Sequence, residues 1–145
     1  MPRKTETRIL IIRGTSAETW AVGEQGTIIR CNTFGCDDLS GGIGSTYVDL
    51  APYSLGGALV VGDSLSNCSS TSCDLRVSVA GVESAEAVVG NKTEVWLGGA
   101  MGVLVKIDRQ AGQAQVIPSG TTDRLTGMWM SSSGEVWAVG RRSMI

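Results

Sequence analysis

The chain has 145 residues, a formal charge of -2, 18% charged residues, and 20 glycines against 3 prolines. That length holds one domain of ordinary size, and that balance of glycine, apolar and charged residues suits many short strands joined by tight turns, not helices or a disordered tail. The 12 basic residues are scattered from Arg3 to Arg142 with no stripe to neutralise phosphates, which argues against nucleic acid, and the lack of histidine removes Ser-His-Asp and Cys-His nucleophiles and histidine zinc sites.

Residues 1–7 read as a short N-terminal extension with a basic start, Arg3-Lys4. The apolar run behind it, Ile9-Leu10-Ile11-Ile12, is too short for a signal-peptide core and far too short for a membrane span. From Arg8 onward one phrase recurs: Thr19-Trp20-Ala21-Val22-Gly23, Ala58-Leu59-Val60-Val61-Gly62, Val95-Trp96-Leu97-Gly98-Gly99 and Val136-Trp137-Ala138-Val139-Gly140. The closing glycines are 39, 37 and 41 residues apart, a period that marks a stacked-repeat architecture.

Within each unit the elements follow one order. A first strand covers Arg8 to Arg13, Tyr47 to Ala51, Ala85 to Val89 and Leu125 to Met130. Turns at 14–16, 53–57, 90–92 and 131–134 are built of Gly, Ser, Asn and similar residues that tolerate positive φ or bond their own backbone. The signature strand comes next. Trp20, Leu59, Trp96 and Trp137 occupy one register, and Val22, Val61, Gly98 and Val139 share their face, which predicts a core between units. A third strand is expected at Thr27 to Arg30 and Val103 to Ile107, with unit two less regular, and a fourth at Asp38-Leu39-Ser40, Asp74 to Val79 and Gln113 to Ile117. Gly-containing links, Ser40-Gly41-Gly42, Ala80-Gly81-Val82 and Ser119-Gly120-Thr121, return the chain to the next unit.

Four short antiparallel strands per unit of about 40 residues is the arithmetic of a β-propeller blade. A β-solenoid is the rival, but its coils are shorter and do not need four turns per repeat. The expected fold is all-β: an incomplete propeller over 8–145, with blades at 8–45, 46–83 and 84–123 and a partial blade at 124–145. Propellers close with four to eight blades, so three and a half blades predict either a piece of a longer protein or an assembly with copies of itself or with another chain.

The stretch from Trp129 to Gly140, and again Gly14 to Gly26 with its Trp-Ala-Val-Gly-Glu-Gln-Gly ending, resembles bacterial propellers of the photosystem II assembly and stability factor family. It is more distantly similar to sialidase-type repeats bearing an Asp-box. Of that box, Ser16-Ala17-Glu18-Thr19-Trp20 keeps only the tail. The resemblance implies a binding or assembly protein of a secreted or periplasmic kind.

Cys31 and Cys36, and again Cys68 and Cys73, stand five positions apart in the expected third-to-fourth-strand loops of units one and two. Across a hairpin that spacing suits two local disulfides, which would place the protein in an oxidising compartment; a four-thiolate zinc site and free thiols are the alternatives. Asn67-Cys68-Ser69 and Asn91-Lys92-Thr93 match a glycosylation pattern short enough to arise by chance. Asp37, Asp38, Asp63, Asp74 and Asp108 are the nearest thing to catalytic carboxylates, and read as turn caps. Tyr47 and Tyr53 lack the neighbours of a sialidase nucleophile, and Gly41-Gly42-Ile43-Gly44 lacks the helix of a phosphate loop. Trp129 is expected in the core of its strand, at the position Ile12 holds in the first unit. The expectation is a non-catalytic binding module with no cofactor or metal, presenting loops to a protein or glycan partner. Part of a sialidase-like glycoside hydrolase and a self-assembling half-ring are the alternatives.

Overall fold

A computed structural model of the protein describes residues 8–40, 46–54, 57–62, 65–69, 73–77 and 85–140, with residue 54 and residues 73–77 described by their backbone alone. The predicted N-terminal extension, Gly41 to Gly44, the link at 80–82, Asp63, and the side chains of Cys73 and Asp74 lie outside the described residues.

Fourteen strands form four antiparallel sheets among the described residues. The first sheet holds β1 (Ile9–Gly14), β2 (Thr19–Gly23), β3 (Ile28–Asn32) and β4 (Gly35–Asp38). The second holds β5 (Asp49–Ser54), β6 (Gly57–Val61), β7 (Leu65–Cys68) and β8 (Cys73–Val77). The third holds β9 (Ala85–Gly90), β10 (Glu94–Gly99), β11 (Leu104–Asp108) and β12 (Gln113–Val116). The fourth is the pair β13 (Leu125–Met130) and β14 (Val136–Gly140). Spatial order follows chain order in every sheet, so each is a meander. The first strands β1, β5, β9 and β13 lie beside one another, and β4, β8 and β12 form the outer edges. The chain is three four-stranded propeller blades and the inner half of a fourth.

Local chemistry explains the recurrence. The hairpin after each of β1, β9 and β13 is closed by one residue whose N–H donates to a glutamate carbonyl: Thr15 to Glu18, Asn91 to Glu94, and Ser131 to Glu135. The side-chain oxygen of that same residue accepts turn N–H groups, from Glu18, Glu94 and Glu135 respectively. The glycine closing the signature phrase answers to close approach: a Cβ on Gly23 would overlap the Arg8 carbonyl, and one on Gly140 the Arg124 carbonyl.

Directly opposite residues of an antiparallel pair share a face, so register decides which blade each side chain meets. Trp20 and Val22 pack against Leu50, Ala58 and Val60 of the second blade. Leu59 and Val61 pack against Val88, Val95 and Leu97 of the third. Gly98 in the third leaves room for Leu125 and Met128 of the fourth. Each fully buried Leu or Val contributes about 1.5–3 kcal/mol of transfer free energy.

Several expectations shift. The fourth strand of unit one is Gly35–Asp38, not 38–40, because Thr33 and Phe34 alone make the turn between paired Asn32 and Gly35. Unit two does form a third strand, β7, whose pairing with β8 shifts register between Leu65 and Ser66. Cys31 and Cys36 lie within β3 and β4, not in a loop. Trp137, expected in the core, is 61% exposed, because its face has no following blade against it among the described residues. Trp129 is 60% exposed on that same face, and its register matches Arg13, not Ile12.

Candidate binding surface

A meander sends alternate connections to opposite ends of the blade. One rim carries the hairpins after the first strands together with the third-to-fourth turns; the other carries the second-to-third turns and the links between blades. Each has a distinct feature.

On the first rim, Phe34 sits at the tip of the β3–β4 hairpin with 97% of its surface exposed. A disulfide between Cys31 and Cys36, directly opposite each other in register with Cα atoms 4.0 Å apart, pins the hairpin behind it. Cys68 is also disulfide-bonded, and its backbone register places it opposite Cys73 in the equivalent hairpin. The zinc and free-thiol alternatives therefore fail for Cys31, Cys36 and Cys68.

On the second rim, a 3-10 turn (Ala100–Gly102) and the link at 117–122 frame an open concavity of about 640 Å³. Its lining includes Met101, Leu104, Val116 and Pro118, with Ser119, Thr121 and Thr122 supplying the polar wall. Met101 takes positive φ (59°) and is largely exposed, as is Val116. The frame is well tied. Ser119 Oγ lies 2.7 Å from the Gly102 carbonyl and accepts the Thr121 N–H, and Ile117 N–H donates to the Leu104 carbonyl. Beside the concavity runs β12, whose four residues are all exposed and whose outer side pairs with nothing among the described residues. Its sequence, Gln113-Ala114-Gln115-Val116, has no charge or proline to discourage strand addition, whereas the corresponding edge β4 carries Asp37 and Asp38.

The candidate carboxylates that lie among the described residues are engaged. Asp38 accepts the Ser40 N–H, Asp108 accepts those of Gln110 and Ala111, and Asp37 lies 3.5 Å from the Arg30 guanidinium. Tyr47 is buried in the first interblade core. Tyr53 donates to Asn67, and Arg109 lies across its ring at 4.5 Å. Asn91 serves its hairpin. Among the described residues, no group of three His, Cys, Asp or Glu side chains gathers to hold a metal ion, and no helix is long and apolar enough to cross a membrane.

One side-chain set escaped the sequence reading. Glu18 accepts Trp20 Nε1 (3.1 Å) and Arg30 Nε (2.7 Å); at the same register in the third blade, Glu94 pairs with Lys106 (3.3 Å), whose ammonium lies 5.7 Å from the Trp96 ring centroid. The signal was present. Glutamate precedes tryptophan by two positions in units one, three and four, and a basic residue follows it by ten in units one and three. In the third blade Trp96 Nε1 has no hydrogen-bond partner among the described residues.

No family model matches the sequence, and no curated protein matches it by sequence. Solved structures do match in shape. YCF48, a photosystem II assembly factor, solved bound to D1 peptide, superposes with a TM-score of 0.70 at 12% identity over 94% of this chain and 47% of its own. The chain folds as an arc of a β-propeller. YCF48 from Cyanidioschyzon merolae gives 0.69 at 12% identity, covering 97% of this chain and 52% of its own. PorZ, a surface component of the type-IX secretion system of Porphyromonas gingivalis, gives 0.60 at 11% identity over 92% of this chain and 20% of its own. The chain thus spans about half the length of the YCF48 chains it matches and a fifth of PorZ.

Proposed function

We propose that this propeller arc is a non-catalytic module that binds a protein segment in extended form along β12, with the concavity taking the segment's side chains. The single observation that carries the reading is the uncharged strand edge, unpaired among the described residues, beside a well-tied concavity with both apolar and polar walls. An exposed edge offers backbone N–H and C=O groups for strand addition, while adjoining pockets select alternate side chains. Met101 and Val116 supply the apolar contact and Ser119, Thr121 and Thr122 the polar one. YCF48 with its bound D1 peptide is a precedent for a propeller of similar fold holding a protein segment.

The turn-capping roles of Asp38 and Asp108 and the contact of Asp37 with Arg30 of its own sheet support the non-catalytic part. The disulfides support an extracellular or periplasmic location. A peptide array probed with the purified chain tests the proposal. Selected peptides are expected to bind wild type and to lose about tenfold in affinity with Val116→Asp or Met101→Asp, a loss of about 1.4 kcal/mol. Binding indifferent to both changes, or turnover of a glycoside, would overturn it.

A further inference from the structure

The phase of the hydrogen bonds decides which backbone groups of β12 are open. Val105 pairs with Val116 and Lys106 with Gln115, which sets Leu104 directly opposite Ile117, and Ile117 N–H donates to the Leu104 carbonyl at 2.8 Å. In an antiparallel ladder every second pair exchanges bonds, so Gln115 and Gln113 also bond inward to β11. The far side of β11 agrees. Arg109 N–H donates to the Thr93 carbonyl, so odd-numbered residues there serve β10 and even-numbered ones serve β12. The N–H and C=O groups of Ala114 and Val116 therefore point away from the sheet, and no strand pairs with them among the described residues. A neighbouring blade packs on a face of this sheet and leaves the edge outermost.

The first blade guards the same position. Leu39 N–H donates to the Ile28 carbonyl just as Ile117 does to Leu104, so the outward groups of β4 belong to Cys36 and Asp38. Cys36 is bound to Cys31, and Asp38 sets a carboxylate where β12 has Val116. A charge on an edge discourages pairing, and the third blade has none there.

We infer that this edge takes an antiparallel segment through Ala114 and Val116 and selects an alternation of apolar, polar and apolar residues, an assignment that rests on the strand addition proposed above. Segment residues opposite Val116 and Ala114 share the face of Val105 and Ile107, whereas the residue between them shares that of Gln115 and Lys106. Because the added chain runs against β12, its N-terminal side leads past Val116 towards Pro118 and the concavity, where an apolar side chain meets Met101 and Leu104. Parallel addition would turn the N–H of the middle residue towards β12 in place of those of the apolar ones, and parallel pairing is the weaker. A second copy is the poorer occupant. With Ala114 of each copy opposite Val116 of the other, the turn Gln110-Ala111-Gly112 would reach the concavity and bring it no large apolar side chain.

Titration of the labelled, capped peptide Gly-Leu-Ser-Val-Thr-Val-Ser-Gly with the 145-residue chain, followed by fluorescence anisotropy, tests the inference. The peptide is expected to bind, with a loss of about tenfold on N-methylation of either valine and of less than about twofold on N-methylation of the threonine between them. Ala114→Pro removes an outward N–H and spares the ladder to β11, so it should keep the circular dichroism of wild type and weaken binding by a similar factor. Val116→Pro gives the same readout one pair along should the first variant misfold. Loss on methylating the threonine alone would make the added strand parallel and overturn the inference. Binding that falls with Met101→Asp but ignores Ala114→Pro and both methylated valines would overturn it too, while leaving a segment seated in the concavity. If other peptides of the array bind and this one does not, the alternation is wrong; if none binds, the proposed function falls with it. Self-association of the chain that Ala114→Pro abolishes would give the edge to a second copy and overturn the inference.

Discussion

Glu18 has no exposed side-chain surface, and the Arg30 guanidinium against it is 11% exposed. Deleting Glu18 costs more than the pair contributes, because the largely buried Arg30 is then left with only the exposed Asp37, 3.5 Å away, as its counter-charge. Glu18→Ala also strips the acceptor from Trp20 Nε1. We expect a loss of about 3 kcal/mol in urea unfolding followed by tryptophan fluorescence, with Glu18→Gln milder because its amide oxygen still accepts one of the two donors. Tyr47 gives a pH signature. Burial raises its phenol above the ordinary 10.0, partly offset by a hydrogen bond with Ser66. The folded state therefore keeps the proton longer than the unfolded chain, so this contribution to stability is whole below pH 10 and is lost as pH rises from there through the folded pKa. Tyr47→Phe should flatten the alkaline fall of an unfolding curve measured from pH 8 upward.

Among the elements, the β3–β4 hairpin is held by few contacts other than its own covalent clip, since all of β4 is exposed. Closing so short a loop is worth about 2 kcal/mol in the chain-entropy account, and Cys31→Ser with Cys36→Ser should lower stability by that order and speed amide exchange in the hairpin while sparing the third blade. In the second-to-third turn of the third blade, Gly102 holds φ at 70°, and a Cβ there would overlap the Thr121 carbonyl. Gly102→Ala should therefore disturb the concavity as well as the turn. At this scale much was legible: signature strands and glycines are written in local chemistry that repeats with the period. The misplaced fourth strand of unit one had a physical reason. A two-residue turn holding an exposed phenylalanine does not look like a turn, and Asp37-Asp38 looks like one while lying at a strand end. The edge beside the concavity was legible as a strand at Gln113, but its bare side emerges only once β12 is known to be outermost.

Across the whole molecule, the contacts that fix one blade on another join residues far apart in the chain, which hid them from any local reading. Asp49 is the clearest. Its side chain is 6% exposed; Oδ1 accepts Arg13 of the first blade at 2.8 Å, and Oδ2 accepts the Val88 N–H of the third at 2.9 Å. A carboxylate of the second blade thus ties three blades through positions 36 and 39 residues away. In a stacked-repeat fold each unit otherwise senses only its neighbours, so stability is close to a sum of unit and interface terms. Asp49→Ala should remove parts of two interface terms at once. The half-exposed Arg13 is then free to turn to water, but the Val88 N–H has no such escape, and we expect a loss of about 2–3 kcal/mol. Amide exchange should quicken at Val88 and along β9 as well as in the first blade, whereas Leu59→Ala, of comparable cost, should act on the second and third blades alone. Glu86→Gln provides the contrast: its ion pair with Arg124 is 32% and 50% exposed and should move stability by less than about 1 kcal/mol. Exchange that quickens only in the second blade after Asp49→Ala would mean that the carboxylate serves its own sheet and does not couple the arc.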